Sequence, residues 1–306
     1  MNKNTHIISE LNTFFHKNDC NKAINCIMTT IRHFNLRSSC IGVEKRHNCK
    51  LSCLQVLELL LVFPFFMVKN SFQYHHSGLS KFFSCQKDMF YRFMEQDNID
   101  WRKLVYLVSI RLLNRISSRK NSKESLQCLI IDDTDLPKTG FKTEMIGRIY
   151  SHVLHKSVLG FKGLFLCHTD GKTQTLLDFS LHGEEGKNPE KKQGLTDKQR
   201  KARFSKKRYG DSAVNTRIKE YRQNKINRSI EMVRESIRRG IRFDYLLVDS
   251  WFTCADLLNF ICSRHLKCHL IGMIKMGKTR YKTRFGNLNA SDIIDRLKKE
   301  KSVRYS

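Results

Sequence analysis

Acidic residues are scarce in this chain of 306 residues. Asp and Glu together number 29, against 56 Lys and Arg, which gives a formal net charge of +27 at pH 7. A charge imbalance of this size favours a polyanionic partner, and nucleic acid is the commonest one. An anionic membrane surface, or solubility alone, is the alternative interpretation. We expect nucleic acid because the positive charge is spread along the whole chain.

The chain also lacks a long hydrophobic run. Its most apolar stretch, residues 54–68, is short for a bilayer span and is interrupted by Glu58 and Pro64. The N-terminus MNKNTHIISE has no apolar region of the kind found in signal peptides. The 11 Cys are odd in number and show no tight pairing, as is typical of a reducing compartment. These absences predict a cytoplasmic protein without a membrane partner, in which the apolar stretch is a buried helix that ends or kinks near Pro64.

Glycine is nearly absent from residues 1–123, where apolar residues recur at helical spacing. We therefore predict an α-helical domain there, whose many Lys and Arg favour DNA binding. Beyond it, short apolar runs at 125–131, 243–248 and 269–276 are typical of buried strands. Two further β-like runs flank a turn signal at Asp170-Gly171. The order of elements predicts an α/β domain over residues 124–278, a mixed sheet with flanking helices.

A polar block over residues 183–211 carries many Lys and Arg and almost no apolar residues. Two interpretations stay open, a solvated loop and a loop that contacts DNA. The candidate DNA-binding residues within this block are all basic, and they are Lys198, Arg200, Lys201, Arg203, Lys206, Lys207 and Arg208.

Two acids share one local context. Asp132 follows the apolar run CLII and Asp249 follows YLLV, so each lies where a predicted strand ends. Ligand sites of α/β sheets favour such strand ends. Two close carboxylates repel each other, and a hard divalent cation such as Mg²⁺, or Mn²⁺ in its place, relieves that repulsion. An Asp that only caps a turn is the alternative for either residue.

Three acids stand together within the stretch LIIDDTDLPKTG. Strand alternation places Asp132 on one face and both Asp133 and Asp135 on the other. We therefore expect Asp132 to be the metal ligand, and the other two acids to face solvent or to pair with Lys138.

The stretches IIDDTDLPKTG and LLVDSWF resemble the first-acid and second-acid motifs of bacterial insertion-sequence transposases with a DDE catalytic domain. The hairpin between them and the helix before Asp249 also fit that ribonuclease H-like domain. The resemblance covers roughly residues 125–276. It implies that Asp132 and Asp249 are catalytic metal ligands, and that the protein is a DNA transposase that cleaves DNA strands and transfers them to target DNA.

The third ligand of that family is a Glu, usually within the signature Tyr-x-x-Arg-x-x-x-Glu. Here Arg296 and Glu300 match its second half, and Ile293 stands at the Tyr position. Glu300 is therefore the candidate third catalytic residue. In the alternative that we favour, the tail over residues 279–306 resembles the start of the β-rich insertion that precedes this Glu in related proteins, and the chain stops before its third acid.

The same resemblance implies the partners of the protein. They are double-stranded DNA, both the terminal repeats of the element and its target, and a second copy of the chain in a homodimeric synaptic complex. It also implies a location at the bacterial nucleoid. Two alternatives stay open, a catalytically inactive DNA-binding fragment that lacks the third carboxylate and a ribonuclease H-like nuclease that cleaves without joining.

Overall fold

The computed structural model describes residues 17–43, 50–81, 83, 85–119, 126–208, 210–263 and 266–299. Its contacts divide the chain into two compact units. The first comprises Met1–Arg115 and Lys207–Arg217, and the second comprises Ile116–Lys206 and Ile218–Ser306. The domain limits at residues 123 and 278 stay predictions.

The first unit is built from helices. They are α1 (Lys17–His33), α2 (Ser38–Ile41), α3 (Cys53–Val62), α4 (Ser71–Tyr74), α5 (Lys87–Met94) and α6 (Trp101–Arg119), which runs past the unit boundary, with 3-10 turns at Phe63–Phe66 and Gly78–Lys81. Helix α3 begins at a capping box in which the side chains of Ser52 and Gln55 each accept the other residue's backbone N–H. It ends at Val62, and Pro64 lies in the first turn of the 3-10 segment that follows. The predicted helix end near Pro64 is therefore confirmed, because proline cannot donate the hydrogen bond that a continuing α-helix needs.

The core of the first unit contains a cluster of three aromatic rings. The ring of Phe63 stacks on Tyr74 with 5.5 Å between centroids, and both rings meet Phe90 edge-on. Tyr74 and Phe90 are fully buried, so their apolar area contributes strongly to the stability of this unit. In the part of the chain that the structure describes, no helix has the length and the apolar character needed to cross a membrane.

The second unit contains a six-stranded mixed sheet. Its strands are β1 (Cys128–Pro137), β2 (Gly147–Ser151), β3 (Lys156–Thr169), β4 (Gln174–His182), β5 (Tyr245–Val248) and β6 (His269–Gly272). Strand β3 pairs antiparallel with β1 along one side and with β2 and β4 along the other. Strand β5 pairs parallel with both β1 and β6. The predicted hairpin is confirmed, since Gly171 at the β3–β4 turn has φ 80° and the side chain of Asp170 accepts two backbone N–H groups of the turn.

Helices flank this sheet. They are α7 (Asp197–Lys201), α8 (Ala213–Tyr221), which crosses the unit boundary, α9 (Lys225–Arg238), α10 (Ala255–Ser263) and α11 (Ala290–Lys299), and a separate hairpin of β7 (Arg280–Thr283) and β8 (Gly286–Asn289) precedes the last of them. The fold class predicted from the sequence, a ribonuclease H-like mixed sheet with flanking helices that follows an α-helical region in the sequence, is confirmed. The strand β2 is an addition that the sequence patterns did not indicate.

Helix α9 packs against β3 and β4 and covers one face of the sheet. That face holds fully buried apolar residues of the central strands, among them Leu129, Leu164 and Leu246. The buried side of α9 is partly polar, and its Arg228 guanidinium donates to the carboxylate of Asp178 at 3.0 Å. A fully buried carboxylate needs such a partner, so the helix turns basic and hydroxyl side chains toward the sheet.

Candidate active site

The two candidate acids lie next to each other at one edge of the sheet. Strands β1 and β5 pair in parallel, with Ile131 opposite Val248. Asp132 and Asp249 are the next residues along the two strands. Asp249 follows the end of β5 as predicted, but β1 continues past Asp132 to Pro137 because β3 pairs with it there, so the predicted strand end at Asp132 was wrong. Side chains at matching positions of parallel neighbours point to the same face, and neighbouring strands lie about 4.8 Å apart. The register therefore brings together two carboxylates that are distant in sequence.

The register of β1 against β5 is fixed at the opposite ends of the strands. The backbone N–H of Gln127 donates to the Asp244 carboxylate at 2.8 Å, and the Asp244 N–H donates to the Gln127 carbonyl at 2.7 Å. A slip by one residue would break both bonds and would turn Asp249 to the other face of the sheet. Asp244 is thus part of what aligns the candidate acids.

The three acids of β1 have different environments, as strand alternation predicts. Asp132 is exposed, whereas the Asp133 carboxylate accepts the ammonium of Lys225 at 2.5 Å. Asp135 accepts the ammonium of Lys162, also at 2.5 Å. The pairing with Lys138 was therefore the wrong alternative, because lysines from α9 and β3 reach these acids from the covered face. Among the described residues, no cation pairs with Asp132.

The environment of Asp135 changes its acidity. Burial raises the pKa of this carboxyl, but hydrogen bonds from Lys162 and Ser151 outweigh burial and leave the pKa below its ordinary value. Asp135 is therefore a structural anion that ties β1 to β3. On the other face of the sheet, burial raises the pKa of the Cys167 thiol, and the nearby Asp132 carboxylate raises it further. This thiol is consequently a neutral neighbour of Asp132 and not a nucleophile.

Backbone N–H groups orient both candidate carboxylates. Oδ1 of Asp132 accepts the N–H of Asp133 at 2.8 Å. Oδ1 of Asp249 accepts the N–H groups of Trp251 and Phe252 at 2.9 and 3.0 Å. In each case these bonds engage one oxygen, and Oδ2 has no hydrogen-bond donor among the described residues. Asp249 thus also caps a turn, so the turn-cap alternative and a ligand role are compatible for this residue.

The turn after β5 is held by residues that the sequence patterns did not single out. The Lys225 ammonium lies 4.1 Å from the centroid of the Trp251 ring and binds Asp133, so it joins the ends of β1 and β5. The Thr253 hydroxyl donates to the Asp249 carbonyl at 2.8 Å. The Asn224 side chain caps α9 by accepting the Ile226 N–H, and this signal could have placed Lys225 in the first helical turn.

Two carboxylates at matching positions of neighbouring parallel strands fit a hard divalent cation. Mg²⁺ is commonly held by one or two carboxylates, with water and phosphate oxygens as its remaining ligands, and each of these acids presents one oxygen without a donor. No group of three or more His, Cys, Asp or Glu suited to a metal occurs among the described residues. Glu300, the candidate third acid, lies outside the described residues. The structure therefore describes two candidate carboxylate ligands for a cation, Asp132 and Asp249.

The candidate DNA-binding residues differ in their exposure to solvent. Four lysines are exposed, and they are Lys198, Lys201, Lys206 and Lys207. The guanidinium of Arg200 pairs with Asp197 in the same helix, and that of Arg203 donates to the Ile146 carbonyl at 3.1 Å. The Arg208 side chain is 7% exposed and pairs with Asp97 in the first unit. Two of the three arginines, Arg203 and Arg208, thus have internal partners that anchor the segment.

Comparisons with known proteins bear on this geometry. The family model described as DDE superfamily endonuclease matches residues 80–281. Among solved structures, the chain is similar to one in a cryo-EM structure of a piggyBac transposase synaptic complex with hairpin DNA, at 14% identity and a TM-score of 0.39. That match covers 82% of this chain and 51% of the other, so this chain spans about half the length of its neighbour. No curated protein matches the sequence. Because the family model covers about two thirds of the sequence, and both candidate acids fall within it, the chain belongs to the DDE superfamily endonucleases.

Proposed function

We propose that this protein is a DNA transposase of the DDE type, which cleaves DNA strands and joins them to target DNA with the help of a divalent cation, Mg²⁺ or Mn²⁺. The observation that carries the proposal is the parallel pairing of β1 with β5, which sets Asp132 beside Asp249. Family membership supports the endonuclease chemistry. The formal net charge of +27 supports double-stranded DNA as the substrate.

The residues of the site have distinct tasks in this proposal. Asp132 and Asp249 hold the cation through the oxygens that carry no donor, while backbone N–H groups fix the other oxygen of each carboxylate. A bound divalent cation supplies Lewis-acid stabilisation of the charge that develops on the scissile phosphate. Lys225 holds the turn that carries Asp249 and keeps Asp133 neutralised, so that only one acid of the pair at β1 faces the substrate.

The proposal includes a biological setting. The substrates are the terminal repeats of a bacterial insertion sequence and its target DNA, bound by a homodimer at the nucleoid in the cytoplasm. The first unit, with its helices rich in Lys and Arg, recognises the element ends. Glu300 is the candidate third acid of the site.

The roles of the two acids can be tested by plasmid nicking. We expect the wild-type chain to convert supercoiled plasmid to the open circle in Mg²⁺ or Mn²⁺. Asp132→Asn and Asp249→Asn should each reduce the rate at least about 100-fold, because an amide keeps the acceptor for the backbone N–H but loses the anionic ligand. Asp256→Asn is the matched control, since Asp256 is exposed and lies in the first turn of α10. Equal nicking rates of Asp132→Asn and the wild type would refute the role of Asp132 as a metal ligand in cleavage.

A second candidate function is DNA binding without cleavage. The finding that favours it is that the described residues supply two carboxylates and no third donor beside them. A gel shift with duplex DNA, together with no nicking in either cation, would establish this function instead. Nicked products that are never joined to a second DNA molecule would indicate a nuclease without strand transfer.

The exposed lysines of the basic segment can be tested by salt dependence. Replacing Lys198 and Lys201 with Ser should lower the slope of log K against log salt by about 1 for each phosphate contact that is lost. The measurement is duplex binding by fluorescence anisotropy over a series of salt concentrations. An unchanged slope would show that these two lysines do not contact phosphates.

A further inference from the structure

The hairpin of β2 and β3 ends in an exposed apolar tip. Val153 is 85% exposed and Leu154 is 55% exposed, and both lie between His152 and His155 in the turn. Exposing large apolar side chains to water at a projecting turn is unfavourable, and a binding partner that covers them removes this cost. The proposed active site does not use these residues, so it does not explain why their apolar side chains are exposed.

The tip is ordered by internal contacts. The backbone N–H of Leu154 donates to the Ser151 hydroxyl at 3.2 Å, which closes the turn. The ammonium of Lys162 donates to the Tyr150 carbonyl at 2.8 Å and to the Asp135 carboxylate at 2.5 Å. The base of the tip is therefore pinned to both β1 and β3. A pinned turn presents its apolar side chains without a large cost in conformational entropy on binding.

The hairpin projects from the same edge of the sheet as the candidate acids. Strand β1 ends at Pro137 opposite Gly160, whereas β3 begins at Lys156, so the hairpin continues past the end of β1. Asp132 lies opposite Phe165, ten residues along β3 from His155. At about 3.3 Å per residue the tip lies roughly 33 Å from the level of Asp132.

The charge around the hairpin suits a polyanion. Residues 147–160 include Arg148 and Lys156 and no acidic residue, while Glu184, from outside the hairpin, accepts the backbone N–H of Tyr150 at 2.9 Å. The basic segment packs at the base of the hairpin, where the Arg203 guanidinium donates to the Ile146 carbonyl. An apolar tip flanked by positive charge is complementary to duplex DNA, because phosphates meet the flanks and the stacked bases offer the apolar surface.

We propose that the tip of this hairpin is a wedge that inserts Val153 and Leu154 between stacked base pairs of the DNA flanking the cleavage site. The proposal rests on the proposed function, since it requires duplex DNA at the candidate active site. The distance from Asp132 corresponds to about 10 base pairs at 3.4 Å per base pair. Insertion of such side chains partly unstacks one base step and kinks the duplex.

The test uses the full chain and a duplex of about 40 base pairs, long enough to reach from the acids past the tip. Donor and acceptor dyes on the two ends report bending by energy transfer. The wedge variant carries Val153→Ser and Leu154→Ser, both at exposed positions. Leu126→Ser is the matched control, because Leu126 is 62% exposed and lies before β1, at the opposite edge of the sheet.

We expect the wild type and the control to bind the duplex and to raise energy transfer. The wedge variant should bind about tenfold more weakly, without the rise in energy transfer and with an unchanged salt slope, because phosphate contacts remain. Equal bending by the wedge variant and the wild type would overturn the wedge while leaving DNA binding intact. Failure of the wild type itself to bind the duplex would overturn the proposed function as well. A wild-type dimer without DNA that the wedge variant converts to a monomer would assign the tip to self-association instead.

Discussion

Lys225 offers the sharpest test of how the site is held together. Its ammonium lies 2.5 Å from the Asp133 carboxylate, and the two side chains are 20% and 22% exposed. Replacing Lys225 with Met keeps most of the aliphatic stem but leaves a largely buried carboxylate without this partner. Loss of one partner costs about 3–5 kcal/mol in a fully buried pair and at most about 1 kcal/mol at the surface, so we expect about 2–3 kcal/mol here.

A double-mutant cycle separates this ion pair from the other effects of the substitution. Asp133→Asn removes the charge that Lys225→Met would leave unpaired, so the double variant should lose less stability than the two single changes together. We expect a coupling energy of about 1.5–2 kcal/mol. The pair of Arg200 and Asp197, at 28% and 72% exposure, is the surface control and should couple by at most about 0.5 kcal/mol.

The chain supplies its own probe for this cycle. It has two tryptophans, and Trp251 lies under the Lys225 ammonium. In a Trp101→Phe background, the fluorescence of Trp251 alone reports unfolding of the second unit in urea. The midpoint and the slope give the free energy of unfolding for each variant. Strict additivity of the two single changes would refute the contact between α9 and β1.

Two further predictions concern the second unit. A Cβ added at Gly183 would overlap the phenol of Tyr221, so Gly183→Ala should lower the free energy of unfolding by about 1–3 kcal/mol, and a smaller side chain at 221 should recover part of that loss in a urea titration. Burial lowers the pKa of His182 and of His168 below the ordinary value of 6.5. The unfolded chain therefore takes up protons first, and stability should fall as the pH drops below about 6.5, by up to about 1.4 kcal/mol per pH unit for each histidine. His182→Gln should make the urea midpoint less dependent on pH between 7 and 5.5, and an unchanged dependence would show that His182 does not titrate in this way.

The end of β5 and the hairpin turn could be predicted because their signals are local. The apolar run before Asp249 marks the end of β5, and Asp170 before Gly171 marks the turn, whereas β1 continues past Asp132 to Pro137. Each signal lies within a few residues of the feature that it determines. The separation of Asp132 from its neighbouring acids followed equally well from alternation along one strand.

The partners of the neighbouring acids could not be predicted, for a physical reason. Asp133 is 92 residues from Lys225 in sequence, and which lysine reaches it depends on how α9 packs on the sheet. Asp135 likewise pairs with a lysine on another strand. Strand β2 was missed because five residues with little alternation carry a weak pattern, and their pairing with β3 is what makes them a strand.

The parallel pairing of β1 with β5 also has a consequence for the order of folding. Strands β1, β3 and β4 follow one another through short connections, whereas β5 joins β1 only after more than 100 residues have intervened. Closing so long a loop lowers the entropy of the chain before the contacts of β5 can stabilise the pairing. The antiparallel strands should therefore form first, and β5 should dock late. The two carboxylates therefore meet near the end of folding. Partly folded chains, including those still being synthesised, would carry Asp132 without Asp249 beside it and would lack the pair of carboxylates on which the proposed function depends.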